Sequence, residues 1–432
     1  MSAGLARTFA SLSVPNYRRY FTGQVVSISG NWMQNVAEMW LVVQLTGSGV
    51  SVGLTAALQF LPIMLFGAWG GLLADRMSKR RLLIVTQSLM ALPALALWAL
   101  TVGGSVEIWM VYALVFVRGA VNAVDNPARQ SFAIEMVGPE NVVNAVALNS
   151  VIIHTSRILG PAFAGIVIAL LGVGTCFLVN AISFIAMIAA LRAMDPAALE
   201  TPPRLARRGP GQLRSALSHV ARTPGLRIPL AMMAVVGTLS FNFQVLLPLL
   251  ASFTWHGTAA TYTALAVAMG VGSVAGALAA GARGRADPRL LVAAAAAFGI
   301  AELLVAAAPT IPLQLIALIP LGAVSVTFAA GVNSAMQLAV DPAMRGRVMA
   351  LYSIVFLGST PIGAPLVGWI AEVAGPRAGL LLGAAAALAA AAGGAIAFAR
   401  AGDSVVPRRE CEGEARPRRR LGARARLGEL RH

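Results

Sequence analysis

The sequence predicts an all-α membrane protein, with twelve transmembrane helices in two related six-helix bundles. Three observations carry that prediction. Only 12% of its 432 residues are charged while 58% are hydrophobic, against roughly 25% charged in an ordinary soluble domain. The apolar residues fall into twelve runs, each close to the roughly 20 residues that cross a bilayer as a helix. All but three of the 33 basic residues then lie on one side of the resulting topology.

The runs span about 20–46, 50–74, 82–102, 107–127, 142–171 and 173–194, and then 226–250, 260–282, 288–308, 311–338, 347–371 and 377–400. Two adjoining pairs divide at Gly172/Gly174 and at Pro309/Pro312, where small or helix-breaking residues favour a turn. Helices are required because lipid offers no partner for a backbone N–H or C=O. With the N-terminus inside, the inner loops take Arg7, Arg18 and Arg19, the cluster Arg76, Lys79, Arg80 and Arg81, Arg129, the 192–227 stretch, Arg283, Arg285 and Arg289, Arg345 and Arg347, and the C-terminal tail. Arg377 alone falls outside, and Arg118 and Arg157 lie within helices. This is the positive-inside bias, and one missed helix would scramble it. It places both termini in the cytoplasm. The chain divides into a cytoplasmic N-terminus (1–19), an N-terminal bundle (20–194), a linker (195–225), a C-terminal bundle (226–400) and a basic, disordered tail (401–432).

The formal net charge of +16 is thereby assigned to topology and anionic lipid rather than to nucleic acid. Cys176 and Cys411 make no disulfide framework, and no metal-ligand spacing is present. No cleavable signal peptide is evident. An ATP-driven pump needs a Gly-Lys phosphate loop, yet the one lysine, Lys79, follows Ser78. Four scattered histidines (154, 219, 256 and 432) offer no catalytic constellation. No enzyme activity, cofactor or metal is expected, and the chain is expected to work as a monomer.

An internal repeat links the halves. Ala147-Leu-Asn-Ser150 matches Ala350-Leu-Tyr-Ser353, and the same shift of 203 pairs Gly160 with Gly363, Gly165 with Gly368 and Gly172 with Gly375. The fifth helix therefore corresponds to the eleventh. Two parallel-related halves around a midplane site are a recurrent transporter architecture.

Polar residues inside such helices turn toward a cavity or a partner. On the first helix Asn31, Gln34, Asn35 and Glu38 follow at i, i+3, i+4 and i+7, one face of the helix. On the fourth, Arg118 precedes Asn122 and Asp125. Glu38 is a candidate proton-coupling carboxylate, its protonation set by desolvation and by the approach of Arg118; a substrate or packing hydrogen bond is the other reading. Asp125 is a candidate gate contact for Arg76 or Arg80. The ionisable chemistry is expected in the N-terminal half, with the C-terminal half as an apolar wall. Trp40, Phe60, Phe241 and Phe243 are candidates to line an apolar cavity, with lipid-facing or core packing the other reading for each.

The second-to-third helix loop, Gly71-Leu-Leu-Ala-Asp75-Arg76-Met-Ser78-Lys79-Arg80-Arg81, resembles the signature loop of the major facilitator superfamily, Gly-x-x-x-Asp-Arg-x-Gly-Arg-Arg. It departs from that pattern at Ser78 and Lys79. Asn16-Tyr-Arg-Arg-Tyr-Phe21, Asn31-Trp-Met-Gln34, Leu45-Thr-Gly-Ser48, Gln59-Phe-Leu-Pro62 and Asp125-Asn-Pro-Ala-Arg-Gln130 are similar to a bacterial exporter branch that includes enterobactin and multidrug (macrolide, tetracycline) exporters. Arg157-Ile-Leu-Gly160-Pro161-Ala-Phe-Ala-Gly165 resembles the antiporter motif Gly-Pro-x-x-Gly-Gly, with Ala164 in place of one glycine. The resemblance implies a bacterial inner membrane, alternating access of two rocking bundles, and a ninth helix, and with it Glu302, at the bundle periphery. It also implies a proton gradient as energy source, an arginine at position 118 in proton coupling, and export of a small, partly apolar molecule such as a siderophore or drug. Proton-driven uptake of a metabolite by the same residues remains the alternative, and a membrane-embedded protein without transport activity the second.

Overall fold

A computed structural model describes residues 10–199, 212–283, 287–341 and 344–402. Arg7, the linker residues 200–211, Arg285 and the basic tail with Cys411 lie outside the described residues. The N-terminal bundle contains α1 (Pro15–Thr46), α2 (Gly49–Arg76), α3 (Lys79–Val102), α4 (Ile108–Gly138), α5 (Glu140–Leu171) and α6 (Val173–Arg192). A short amphipathic helix, Gln212–Arg222, follows. The C-terminal bundle contains α7 (Pro224–Thr254), α8 (Ala259–Arg283), α9 (Pro288–Ala307), α10 (Ile311–Ala339), α11 (Arg345–Ala374) and α12 (Pro376–Ala401).

Eleven of these described helices are long and apolar enough to cross a membrane. The twelfth is α1, whose polar stripe lowers its hydropathy. Its 32 residues still reach about 48 Å at 1.5 Å per residue, and it packs against α5 and α6 at the centre of its bundle. The outer surface is strongly apolar: Val143, Leu170, Leu278 and Val373 are each at least 70% exposed, as lipid-facing side chains must be.

Proline opens several helices, at Pro15, Pro224, Pro288 and Pro376, where its missing N–H costs nothing. The repeat reappears in the backbone. Gly172 and Gly375, 203 residues apart, end α5 and α11 with φ of 84° and 86°, a region that favours glycine. Two expectations change. The polar stretch between the fourth and fifth apolar runs is helical almost throughout, and the chain turns at Gly138 (φ 66°) alone. The seventh span is discontinuous: helix runs to Leu239, breaks over Ser240–Asn242, resumes at Phe243 and ends in a π turn, Leu250–Thr254.

The bundles meet along α2 with α11 and α5 with α8. At the end carrying the α1–α2 link the helices interlock through glycine. A Cβ at Gly53 would overlap the Ala364 carbonyl, one at Gly368 the Gly49 carbonyl, and one at Gly165 the Thr263 hydroxyl. Trp40 stacks on Tyr262 with centroids 6.2 Å apart. Farther along α2 the contact ends near Met64 and Gly358. Beyond it Leu65, Phe66, Leu72 and Leu73 are exposed, and Trp69 is 74% exposed. The molecule is therefore closed at the α1–α2 end and splayed at the α2–α3 end.

Candidate functional site

The polar stripe of α1 faces inward, into a network shared by four helices. Arg118 of α4 donates through Nη2 to Glu38 Oε2 at 2.6 Å and to Asn35 Oδ1 at 2.8 Å. Gln34 Nε2 donates to Glu38 Oε1 at 2.7 Å. Asn180 of α6 donates to Gln34 Oε1 at 2.5 Å and to Asn31 Oδ1 at 3.4 Å, and Gln59 of α2 donates to Asn35 Oδ1 at 3.2 Å. Glu38 is 0% exposed and Arg118 6%. Both carboxylate oxygens are satisfied, as a buried charge demands. The network thus holds Asn31, Gln34, Asn35, Glu38 and Arg118. The half-buried Asn122 makes no hydrogen bond within it. Gln59 and Asn180 are additions, each legible in the sequence only as an amide inside an apolar run.

Four-residue spacing on α1 puts Gln34 beside Glu38, as expected for i, i+4 neighbours. Arg118 reaches them because α4 runs close to α2: a Cβ at Gly119 would collide with the Gln59 carbonyl. One guanidinium nitrogen, Arg118 Nε, is left without a partner. The pair is therefore tight but not saturated, and it can exchange partners without first breaking a full shell.

A second buried cluster lies toward the splayed end. Asp125 accepts from Thr86 Oγ1 at 2.6 Å, from Gln87 Nε2 at 2.8 Å and from Arg129 Nε. The expected contact of Asp125 with Arg76 or Arg80 is not made; the arginine one turn on, on the same helix, takes the carboxylate. Arg80 instead caps the end of α6, donating to the Leu191 carbonyl at 2.6 Å and the Arg192 carbonyl at 3.0 Å. Lys79 pairs with Glu135 of α4. Asp75 and Arg76 are exposed at the end of α2, and Gly71 lies beside them in its last turns. The close approach to α4 is made at Gly70, where a Cβ would overlap the Ala123 carbonyl.

The α5 motif occupies the seam between α1 and α8. Gly160 admits Trp32 of α1, Gly165 admits Thr263 of α8, and the Arg157 carbonyl abuts Gly270 of α8. The Arg157 guanidinium lies 5.1 Å from the Trp32 ring centroid, a cation–π contact. Pro161 is buried one residue beyond Gly160. At the closed end Glu372 of α11 reaches across to α2: its Oε2 accepts from Ser48 Oγ at 2.6 Å and from the Val50 amide at 3.0 Å. This carboxylate caps the first turn of a helix in the other bundle, where unpaired N–H groups and the helix dipole favour an anion.

The opposite wall is aromatic. Phe241, within the break in α7, and Phe243, just after it, pack on Phe298 of α9 at 5.0 and 6.0 Å, and Phe241 meets Phe356 at 5.8 Å. The wall is not purely apolar, however, and Glu302 is not peripheral: it is 0% exposed inside the C-terminal bundle. Among the described residues no group of three or more His, Cys, Asp or Glu is placed to hold a metal. A recess of about 290 Å³ on the closed face, lined by Trp40, Gln44, Ile168 and residues 257–260, has no ionisable lining and stands apart from the polar network.

Known proteins place this arrangement. The family model described as "transmembrane secretion effector" matches residues 6–412. The macrolide efflux protein A of Streptococcus pyogenes is 23% identical over 84% of this chain and 91% of its own length. The enterobactin exporter of Citrobacter koseri is 25% identical over 84% and 87%. The staphyloferrin A transporter of Staphylococcus aureus is 30% identical, but over only 38% of this chain and 42% of that protein. Among solved structures the nucleoside transporter NupG superposes with a TM-score of 0.71 at 14% identity, over 88% of this chain and 99% of that one. A bacterial homologue of the iron transporter ferroportin, in an inward-facing state, gives 0.68 at 14% identity. With the twelve helices, the two bundles and the buried ion pair between α1 and α4, these likenesses show that the chain is a multi-pass membrane transporter, and it belongs to the transmembrane secretion effector family of the major facilitator superfamily.

Proposed function

We propose that the chain exports a small, partly apolar molecule, such as a siderophore or drug, across the bacterial inner membrane in exchange for protons, as a monomer with both termini in the cytoplasm. The observation that carries this reading is the Glu38–Arg118 pair. It is the place in the N-terminal bundle where a buried carboxylate and cation touch across two helices, α1 and α4. An ion pair in lipid surroundings persists only while both partners are charged and in contact. Protonating Glu38 would release Arg118 to Asn35 or to a ligand, so proton binding and helix movement are linked through one contact. The names of the efflux and exporter relatives support the outward direction.

The conformation fits the first half of such a cycle. The splayed end carries Asp75, Arg76 and the Lys79–Arg81 cluster, the side that the basic residues assign to the cytoplasm. A cavity open there would load substrate while Glu372, Ser48 and the glycine contacts keep the other side shut. Outward opening requires those contacts to part and the α2–α3 loop to close against the C-terminal bundle.

The test uses everted membrane vesicles and ethidium as probe. An imposed pH gradient, acid inside, should drive ethidium into vesicles containing the wild-type chain, and Glu38→Gln should abolish the drive while leaving ethidium binding to the purified protein intact. Full drive in Glu38→Gln would remove Glu38 from the coupling step. Gradient-driven solute movement in the same direction as the proton would replace export with symport.

A further inference from the structure

Glu302 is a buried carboxyl that the coupling scheme above does not use. It sits on α9 among Ala301, Ala306, Val305 and Phe298, all buried, and neither carboxyl oxygen has a hydrogen-bond partner. Its space is made by α12: a Cβ at Gly383 would stand 2.7 Å from Oε1 and 3.1 Å from Oε2. The polar neighbour is Ser240, the first residue of the break in α7, whose hydroxyl donates to the Gly383 carbonyl at 2.7 Å. A cradle for a carboxyl is therefore built from three helices, and one of its walls is the discontinuity in α7.

Among the described residues no cation balances it. The ionisable side chains on the packed elements are Arg289 on α9 itself, Arg227 on α7, and Arg377 and Arg400 on α12, while the described part of α10 carries none. Arg227 and Arg289 lie 13 residues from Ser240 and Glu302, about 20 Å along a helix. Arg400 is 17 residues beyond Gly383. Arg377 is committed elsewhere, donating to the Ala308 carbonyl at 2.7 Å and lying 5.5 Å from the Trp255 ring centroid. An ionised carboxylate here would be an isolated charge in apolar surroundings, far costlier than the neutral acid.

We propose that Glu302 is a proton-binding site in the C-terminal bundle, holding its proton as a neutral carboxylic acid while the outer end is closed and exchanging it with water through the break at Ser240–Asn242. The O–H bond that breaks gives its proton to water and leaves the carboxylate, and the reverse step restores the acid. The Ser240 hydroxyl, which serves the Gly383 carbonyl, already lies beside the Glu302 carboxyl and is placed to donate to that carboxylate instead. Broken helices at membrane depth are tolerated where freed backbone groups line a polar path. This proposal deepens the proton-coupled reading and would add a second proton to it.

The experiment is infrared difference spectroscopy on the purified full-length protein in lipid, comparing wild type with Glu302→Gln, which is isosteric and neutral. The expected result is a protonated-carboxyl C=O band in the wild type that Glu302→Gln removes and that shifts on transfer to D₂O. Releasing the closed end with Glu372→Gln should speed that shift several-fold. Absence of the band overturns the proposal. A band that fails to exchange in both wild type and Glu372→Gln also overturns it, since the proton would then be purely structural. These readouts need no substrate and no pH gradient. A failure of proton-driven ethidium transport therefore tells against the export reading without touching this one.

Discussion

The two bundles handle buried charge in opposite ways. In the N-terminal one Glu38 has Arg118, Gln34 and no free oxygen, and Asp125 has Arg129, Thr86 and Gln87. In the C-terminal one Glu302 has a glycine and a serine that donates elsewhere. A paired carboxylate and an unpaired one respond differently to a proton: the first loses a partner on protonation, whereas the second loses an electrostatic penalty. On the proposed scheme the two bundles thus carry unlike devices, one that signals a proton by releasing an arginine and one that stores it silently.

Removing one partner tests the paired side most severely. Arg118→Ala leaves Glu38 buried and uncompensated, a loss of about 3–5 kcal/mol, read as a lower thermal midpoint of the purified protein. Arg118→Gln with Glu38→Gln should recover most of that stability without recovering gradient-driven ethidium transport. Recovery of both would make the pair a structural element rather than a coupling one.

Asp125→Asn comes next. It strips the charge from a carboxylate with three donors and leaves Arg129 without its anion, at about 1.5–3 kcal/mol for hydrogen bonds to a charged group. An unchanged thermal midpoint would show that the cluster near the splayed end is not holding α3 to α4.

The closed end offers a gentler perturbation. Gly53→Val pushes a side chain into the Ala364 backbone, and overpacking of this kind costs about 1–3 kcal/mol. That cost falls on the closed conformation and not on the open one. Labelling of Val50→Cys by an impermeant maleimide from the outer side should rise accordingly, and no rise would mean that α2 and α11 part elsewhere. Glu372→Gln should have the smallest effect. The residue is exposed, and exposed charged contacts are worth about 0.2–1 kcal/mol, so the same labelling should rise less than in Gly53→Val.

Much of this was legible in the residues. The helix count, the repeat and the inward face of α1 follow from spacing alone, because lipid forces polar groups onto one side of a helix. The pairing of Asp125 was also within reach, since Arg129 stands one turn away, yet the expectation looked to the loop cations instead. Glu302 was visible as a lone acid in an apolar run. Its importance was not, because burial depends on which helices surround α9, and nothing in a linear run says that α12 offers a glycine at the same height. The break at Ser240 was equally silent: neither proline nor a glycine pair marks it.

The sequence by itself therefore determined the solvent, the number of crossings and the identity of the groups able to ionise, and its arginines set the expected inside-to-outside sense. Only the tertiary structure decided which of those groups are neutralised. That outcome rests on contacts between residues far apart in the chain, Glu38 with Arg118, Ser48 with Glu372, Ser240 with Gly383. In a medium that cannot screen charge, the presence or absence of such a contact decides whether a carboxylate is an ion-pair partner or a neutral acid.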